Sequence, residues 1–168
     1  MDDSVLSRRR FIGTAAGTLV VAATPILTLA SQTQPKPRPP AISPDIVKEF
    51  VIAAHSKFDK TKEMLGNDPH LINATWDWGA GDFEMGIGGA GHVGSRDIAL
   101  YMIEQGARYD IFIAAMLGEL TVVKAMLAIH PNMLHSKGPH GIPLDAHARV
   151  GGDQAAETLA YIQSLTQG

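Results

Sequence analysis

The stretch Met85–Gly94, MGIGGAGHVG, holds two overlapping copies of G-x-G-x-x-G, Gly86 to Gly91 and Gly89 to Gly94. In a dinucleotide site such glycines let the backbone approach a pyrophosphate. That chemistry needs a buried strand just before the glycines, a helix after them and an acid about 20 residues further on. Asp110 stands at that distance from Gly91, but the preceding WDWGAGDFE is polar and carries no Val/Ile run. The glycines are therefore read as small residues inside a tightly packed helix, and not as a phosphate cradle.

The residues just before them form a second group with chemical content. Asn73–Gly86 contains both tryptophans of the chain, Trp76 and Trp78, together with Asp77, Asp82, Phe83 and Glu84. Aromatic anchors carry much of the binding energy at protein interfaces. This loop, with the adjoining His92 and Met116, is the expected partner-binding surface. The alternative is that Trp76 or Trp78 folds back over an apolar groove of its own chain.

Four histidines follow, His130, His135, His140 and His147, spaced by 5, 5 and 7. With Asp145 nearby they offer donors suited to zinc or copper, but none of these spacings is a ligand signature. Scattered loop histidines are normally solvated, so neither a metal site nor any cofactor is expected. Catalysis has no frame either: G-x-S-x-G, H-E-x-x-H and paired carboxylates at a working spacing are all missing from the sequence. An enzyme on this chain would need a deep pocket near Asp77, Asp82 and His92.

Composition narrows the partners. The chain has 168 residues, 45% of them hydrophobic, and no cysteine. Thiolate catalysis, disulfides and iron–sulfur clusters are thereby excluded. The net charge is −3, but residues 1–40 carry five basic and two acidic residues, so the remainder holds nine basic against fifteen acidic, a net of −6. An acidic body lacks the basic footprint that nucleic acid requires, and suits a protein partner with a basic patch.

Residues 1–30 read as an address. Arg8-Arg9-Arg10 precede an apolar run from Phe11 to Ala30, with small residues placed for cleavage before Ser31. Ser7-Arg8-Arg9-Arg10-Phe11-Ile12 resembles the twin-arginine export motif, with Gly13 where a lysine is usual. The resemblance implies a bacterial protein exported to the periplasm, folded before it crosses. A retained membrane anchor is the alternative, and membrane contact is expected only through this segment. Residues 31–43 are a Pro-rich linker.

The elements that must position these residues repeat along 44–168. AAMLGELTVVKAML (Ala114 to Leu127) matches AGHVGSRDIALYMI (Ala90 to Ile103), HARVGGDQAAETLAYI (His147 to Ile162) and, with one residue missing, AAHSKFDKTKEML (Ala53 to Leu65). Gly94, Gly118 and Gly151 are the landmarks. The interval from Gly118 to Gly151 matches a repeat period of about 33 residues. This period, with GIPLDAHARVG at Gly141 to Gly151, resembles the ankyrin repeat. The resemblance implies an all-α solenoid of about four helix-turn-helix repeats, binding through its finger loops and first helices. One finger is enlarged, the tryptophan loop. The next is missing, because the interval from Gly94 to Gly118 falls well short of the period. In each second helix an apolar stripe such as Val122, Val123, Met126 and Leu127 would pack on its neighbours. Ser43-Pro44-Asp45 is an expected helix start, and a helix from about Gln154 to Gln163 the expected cap. The function expected from all this is a non-catalytic module for protein–protein interaction in the periplasm. A metal- or small-molecule-binding accessory of a periplasmic redox or stress system is the alternative.

Overall fold

The computed structural model describes residues 38–166. The expected signal segment 1–30 and residues 31–37 of the Pro-rich linker lie outside the described residues. Residues 38–43 have no regular structure. The protein is mainly helical, with eight α-helices among the described residues: α1 Pro44–Ser56, α2 Phe58–Asn67, α3 Gly86–Val93, α4 Arg96–Glu104, α5 Ile111–Leu117, α6 Leu120–Ile129, α7 Leu144–Val150 and α8 Ala156–Thr166. None of these is long and apolar enough to cross a membrane.

Local chemistry accounts for the helix boundaries. Pro44 opens α1 where its missing N–H is no loss, and Asp45 in the first turn faces the positive helix end. Ser43 occupies the N-cap position, but its hydroxyl makes no capping bond. Gly94 and Gly118 end α3 and α5 in the left-handed conformation, at φ 78° and 73°. Gly151 departs from that expectation. It is right-handed at φ −70°, and Gly152 supplies the left-handed turn at φ 63°. Gly151 is needed for a different reason: a Cβ there would lie 2.1 Å from the Met116 carbonyl oxygen. The last helix starts later than expected, after a 3-10 turn at Gly152–Ala155.

Consecutive helices pack in pairs, α1 with α2, α3 with α4, α5 with α6 and α7 with α8. The first members of the pairs also stack on one another, α1 on α3, α3 on α5 and α5 on α7. Two apolar clusters hold this arrangement, one around Phe50, Ile87, Met102 and Met116, the other around Ile111, Val123, Leu144 and Ile162. Of the expected stripe on α6, Val123 and Leu127 are buried, while Val122 and Met126 pack at its margin. Burying each such side chain is worth about 1.5–3 kcal/mol relative to exposure.

The loop between α2 and α3 is not wholly irregular. It forms an antiparallel hairpin, β1 Thr75–Asp77 and β2 Phe83–Met85, with Trp76 opposite Glu84. The fold is therefore helical with a small two-stranded sheet, and a strand does precede the glycines, contrary to the sequence reading. It is a short hairpin strand with no βαβ crossover. The glycines themselves lie inside α3, with Gly86 to Gly91 all buried. Asp110, the acid at dinucleotide spacing, caps α5 by accepting from the N–H groups of Phe112 and Ile113. Both facts argue against a nucleotide there.

The α3 glycines make room. A Cβ on Gly86 would lie 2.9 Å from the Phe50 ring, one on Gly89 2.6 Å from the His55 ring, and one on Gly91 2.5 Å from Ile113 Cδ1. Helix α3 can thus sit against α1 with an imidazole between them.

Gly118→Ala combines a left-handed backbone with a Cβ placed 2.0 Å from the Gln154 carbonyl oxygen. It should lose about 3 kcal/mol of stability in urea denaturation. Gly106→Ala, also left-handed but with open space around it, should lose only about 1 kcal/mol.

Candidate metal centre

The residues that could do chemistry converge above the glycine face of α3. His55 lies in the last turn of α1, where its Nδ1 is 2.8 Å from the Val51 carbonyl. A carbonyl only accepts, so Nδ1 carries the proton and Nε2 is left with a bare lone pair. The Ser95 hydroxyl donates to the His55 backbone carbonyl and ties this end of α1 to the start of α4. Glu84 is the middle residue of β2, with its side chain wholly buried. One of its oxygens, Oε2, accepts from the Trp78 indole at 2.7 Å. His92 projects from the C-terminal turn of α3, next to Gly91.

His140 arrives from the loop between α6 and α7, in a turn where it is itself left-handed at φ 58°. Asp82, in the tip of the hairpin, grips it twice. One carboxylate oxygen accepts from the His140 backbone N–H at 2.8 Å, the other from Nδ1 at 2.7 Å. Nδ1 is therefore the donor, and in the neutral imidazole Nε2 is the nitrogen that keeps a lone pair.

These two nitrogens and His92 Nε2, which donates to the carboxylate when no ion is bound, surround Glu84 Oε1. His92 Nε2 lies 2.9 Å from it, His55 Nε2 3.5 Å and His140 Nε2 3.6 Å, while His55 Nε2 and His92 Nε2 are 3.2 Å apart. One ligand atom from each of the four residues falls within 4.8 Å of all the others. A metal ion about 2.0–2.2 Å from two neighbouring donors holds those donors about 3.0–3.6 Å apart. The four separations just given are close to those within one coordination shell. Three imidazole nitrogens and one carboxylate oxygen, with no thiolate, suit borderline first-row ions such as Zn(II), Fe(II) or Co(II). The partners behind the ligands are also of the right kind: a backbone carbonyl on His55, a carboxylate on His140, an indole on Glu84.

Electrostatics agree with a cation-ready site. Burial opposes ionisation of Glu84, but hydrogen bonds from His92 and Trp78 and the neighbouring His55 outweigh it, and the carboxyl sits below its usual range. The His140 backbone and ring bonds likewise hold Asp82 below the ordinary carboxylate range. Both acids are therefore charged at neutral pH.

The residues singled out in the sequence divide sharply. Trp78, Asp82, Glu84 and His92 belong to this cluster. Glu84 and Met116 are wholly buried and offer no surface to a partner. Asp77 accepts from the Gly79 N–H and shapes the hairpin turn. Trp76 packs against the first apolar cluster beneath the Lys48 ammonium, so it folds back. Phe83 is 62% exposed. Of the four later histidines only His140 joins the cluster, and His130 and His135 are exposed. Sequence reasoning does not single out His55: it stands far along the chain from both Glu84 and His92, and no local motif links them.

His147 is a buried histidine beside the centre. Its Nδ1 bonds the Pro143 carbonyl at 3.0 Å, its Nε2 has no hydrogen-bond partner, and its ring meets Phe112. Burial pushes its pKa below the ordinary histidine value, against the Pro143 hydrogen bond. The unfolded chain then takes up the proton first as pH falls. Stability from this residue is present above about pH 6.5 and lost below it. Under chelating conditions, lowering the pH from 7.5 to 5.5 should cost His147→Ala less in urea midpoint than it costs the parent chain.

Trp78 reports on the centre because its indole touches a ligand. Binding of Co(II) or Cu(II) should quench its fluorescence, and Trp78→Phe should remove most of the quench while Trp76→Phe leaves it. Comparison of the chain with protein-family models, with curated proteins and with solved structures returns no significant match.

Proposed function

We propose that this protein binds one first-row transition-metal ion through His55, Glu84, His92 and His140, on a short ankyrin-type helical stack. One observation carries the reading: a charged carboxylate with no solvent exposure stands among three imidazoles at coordination spacing. A buried acid normally has one strong cationic partner. Glu84 has none among the described Lys and Arg residues, and a metal ion is the cation that its neighbours would recognise.

The ankyrin reading is supported by the four helix pairs, by the stacked first helices and by the left-handed glycines that close α3 and α5. The twin-arginine-like Ser7–Ile12 supports export to the periplasm, where the protein would act as a metal-binding accessory. Cargo of that route crosses folded, so an ion bound in the cytoplasm would be carried across.

A second reading, docking of another protein, is favoured by one observation: Phe83 stands exposed on the hairpin that covers the centre. The two readings are compatible, since the same hairpin would report on metal occupancy to a partner. Phe83→Ala should then weaken capture of a periplasmic partner without altering metal content.

The metal reading is tested on protein purified without a histidine tag, demetallated and titrated by calorimetry. One equivalent of Zn(II) or Co(II) should bind. His55→Ala, His92→Ala and Glu84→Ala should each weaken binding at least ~100-fold, and Asp82→Ala, which frees His140 to turn, about 10–100-fold. His130→Ala and His135→Ala should bind as the parent does.

A further inference from the structure

The donors do not close the site evenly, and this bears on what the ion does. Three of them, His55, Glu84 and His92, come from α1, β2 and α3, and α3 packs directly on the other two elements. Their ligand atoms form a triangle with sides of 2.9, 3.2 and 3.5 Å. Two histidines and one carboxylate on one face of an ion are the set that leaves the opposite positions open in non-haem Fe(II) centres. Glu84 has only Oε1 to offer an ion, because Oε2 accepts from the Trp78 indole.

The fourth donor differs in origin. His140 belongs to a loop far along the chain, is held by Asp82, and stands farthest from Oε1, at 3.6 Å. Exposure of the side chains rises in order around the cluster: Glu84 0%, His92 12%, His55 22%, His140 33%. The buried end rests on α3 and the hairpin, and the rim toward solvent is formed by His55 and His140. One carboxylate against a divalent ion leaves the inner shell with one unit of positive charge.

Resting on the metal reading above, we propose that the centre is exchangeable and not a closed structural site. The ion keeps a coordination position on the His55–His140 rim that a small exogenous anion occupies in exchange for water. His140 is the labile fourth ligand, and the His55–Glu84–His92 triangle alone retains the ion.

Azide and the Co(II)-loaded full-length protein make the test. Azide should shift the visible d–d absorption of the cobalt saturably, with one azide per ion. His140→Ala should bind Co(II) at least tenfold more weakly and still show the azide shift. His92→Ala should lose both cobalt and shift. Full cobalt occupancy with a spectrum unchanged by saturating azide would overturn the exchangeable position while leaving metal binding intact. Loss of all cobalt from a folded His140→Ala, checked by circular dichroism, would overturn the labile-ligand assignment. Absence of bound cobalt from the parent chain would overturn the metal reading itself and this inference with it.

Discussion

A carboxylate removed from water must be compensated, and the Glu84 carboxylate is the group around which the centre of this molecule is arranged. Leaving an ion of that kind unpaired in a protein interior costs on the order of several kcal/mol. Trp78 and His92 compensate part of this through contacts to its two oxygens, at 2.7 and 2.9 Å. The rest of the arrangement follows from making room for that set. The hairpin carries Glu84 inward on one face and brings Trp78 back over it. Helix α3 is built largely of glycine and alanine so that the His55 ring fits between α1 and α3. The Gly89 position shows the constraint most directly, since any side chain there would overlap that ring.

The uneven loop lengths serve the same end. Loop 105–110 between α4 and α5 is short, with Asp110 closing it as a helix cap. The longer segments on either side of it, the hairpin and the loop 130–143, are then free to meet across the gap. They do so through the paired bonds between Asp82 and His140. Three left-handed residues in the hairpin tip, Gly79, Ala80 and Gly81, turn Asp82 toward that loop. Non-glycine residues in this conformation are uncommon, and Ala80 and His140 are the two among the described residues, one on each side of the contact.

The helices are legible in the sequence because their cause is local. Apolar spacing on α6, Pro44 and Asp45 at the start of α1, and glycines after α3 and α5 are signals close along the chain to what they determine. The small-residue run in α3 reads as close packing, but not as packing against an imidazole, because that imidazole, His55, lies on a separate helix, α1. The centre is only half visible for the same reason. Glu84 stands out as part of an aromatic and acidic loop and His92 as a residue adjoining it, and a loop of that composition reads as surface. The burial of Glu84 depends on the hairpin register that sets Trp76 opposite it, a pairing that such short strands do not announce. His140 falls among neighbours with which it shares nothing, since His130 and His135 are solvated and His147 is buried apart. A candidate ligand set gathered from α1, β2, α3 and a distant loop has no spacing to recognise. Its one faint sequence signal is an acid and a histidine flanking a run of helix glycines.

The central claim is that four side chains from separate elements form one coordination shell. The most direct measurement is an anomalous-scattering map of crystals of the full chain grown with one equivalent of Co(II) or Zn(II). One peak bounded by His55 Nε2, His92 Nε2, His140 Nε2 and Glu84 Oε1, at about 2.0–2.2 Å from each, is the result the account predicts. A folded protein with no peak there, or with its metal at His130 or His135 instead, would contradict it.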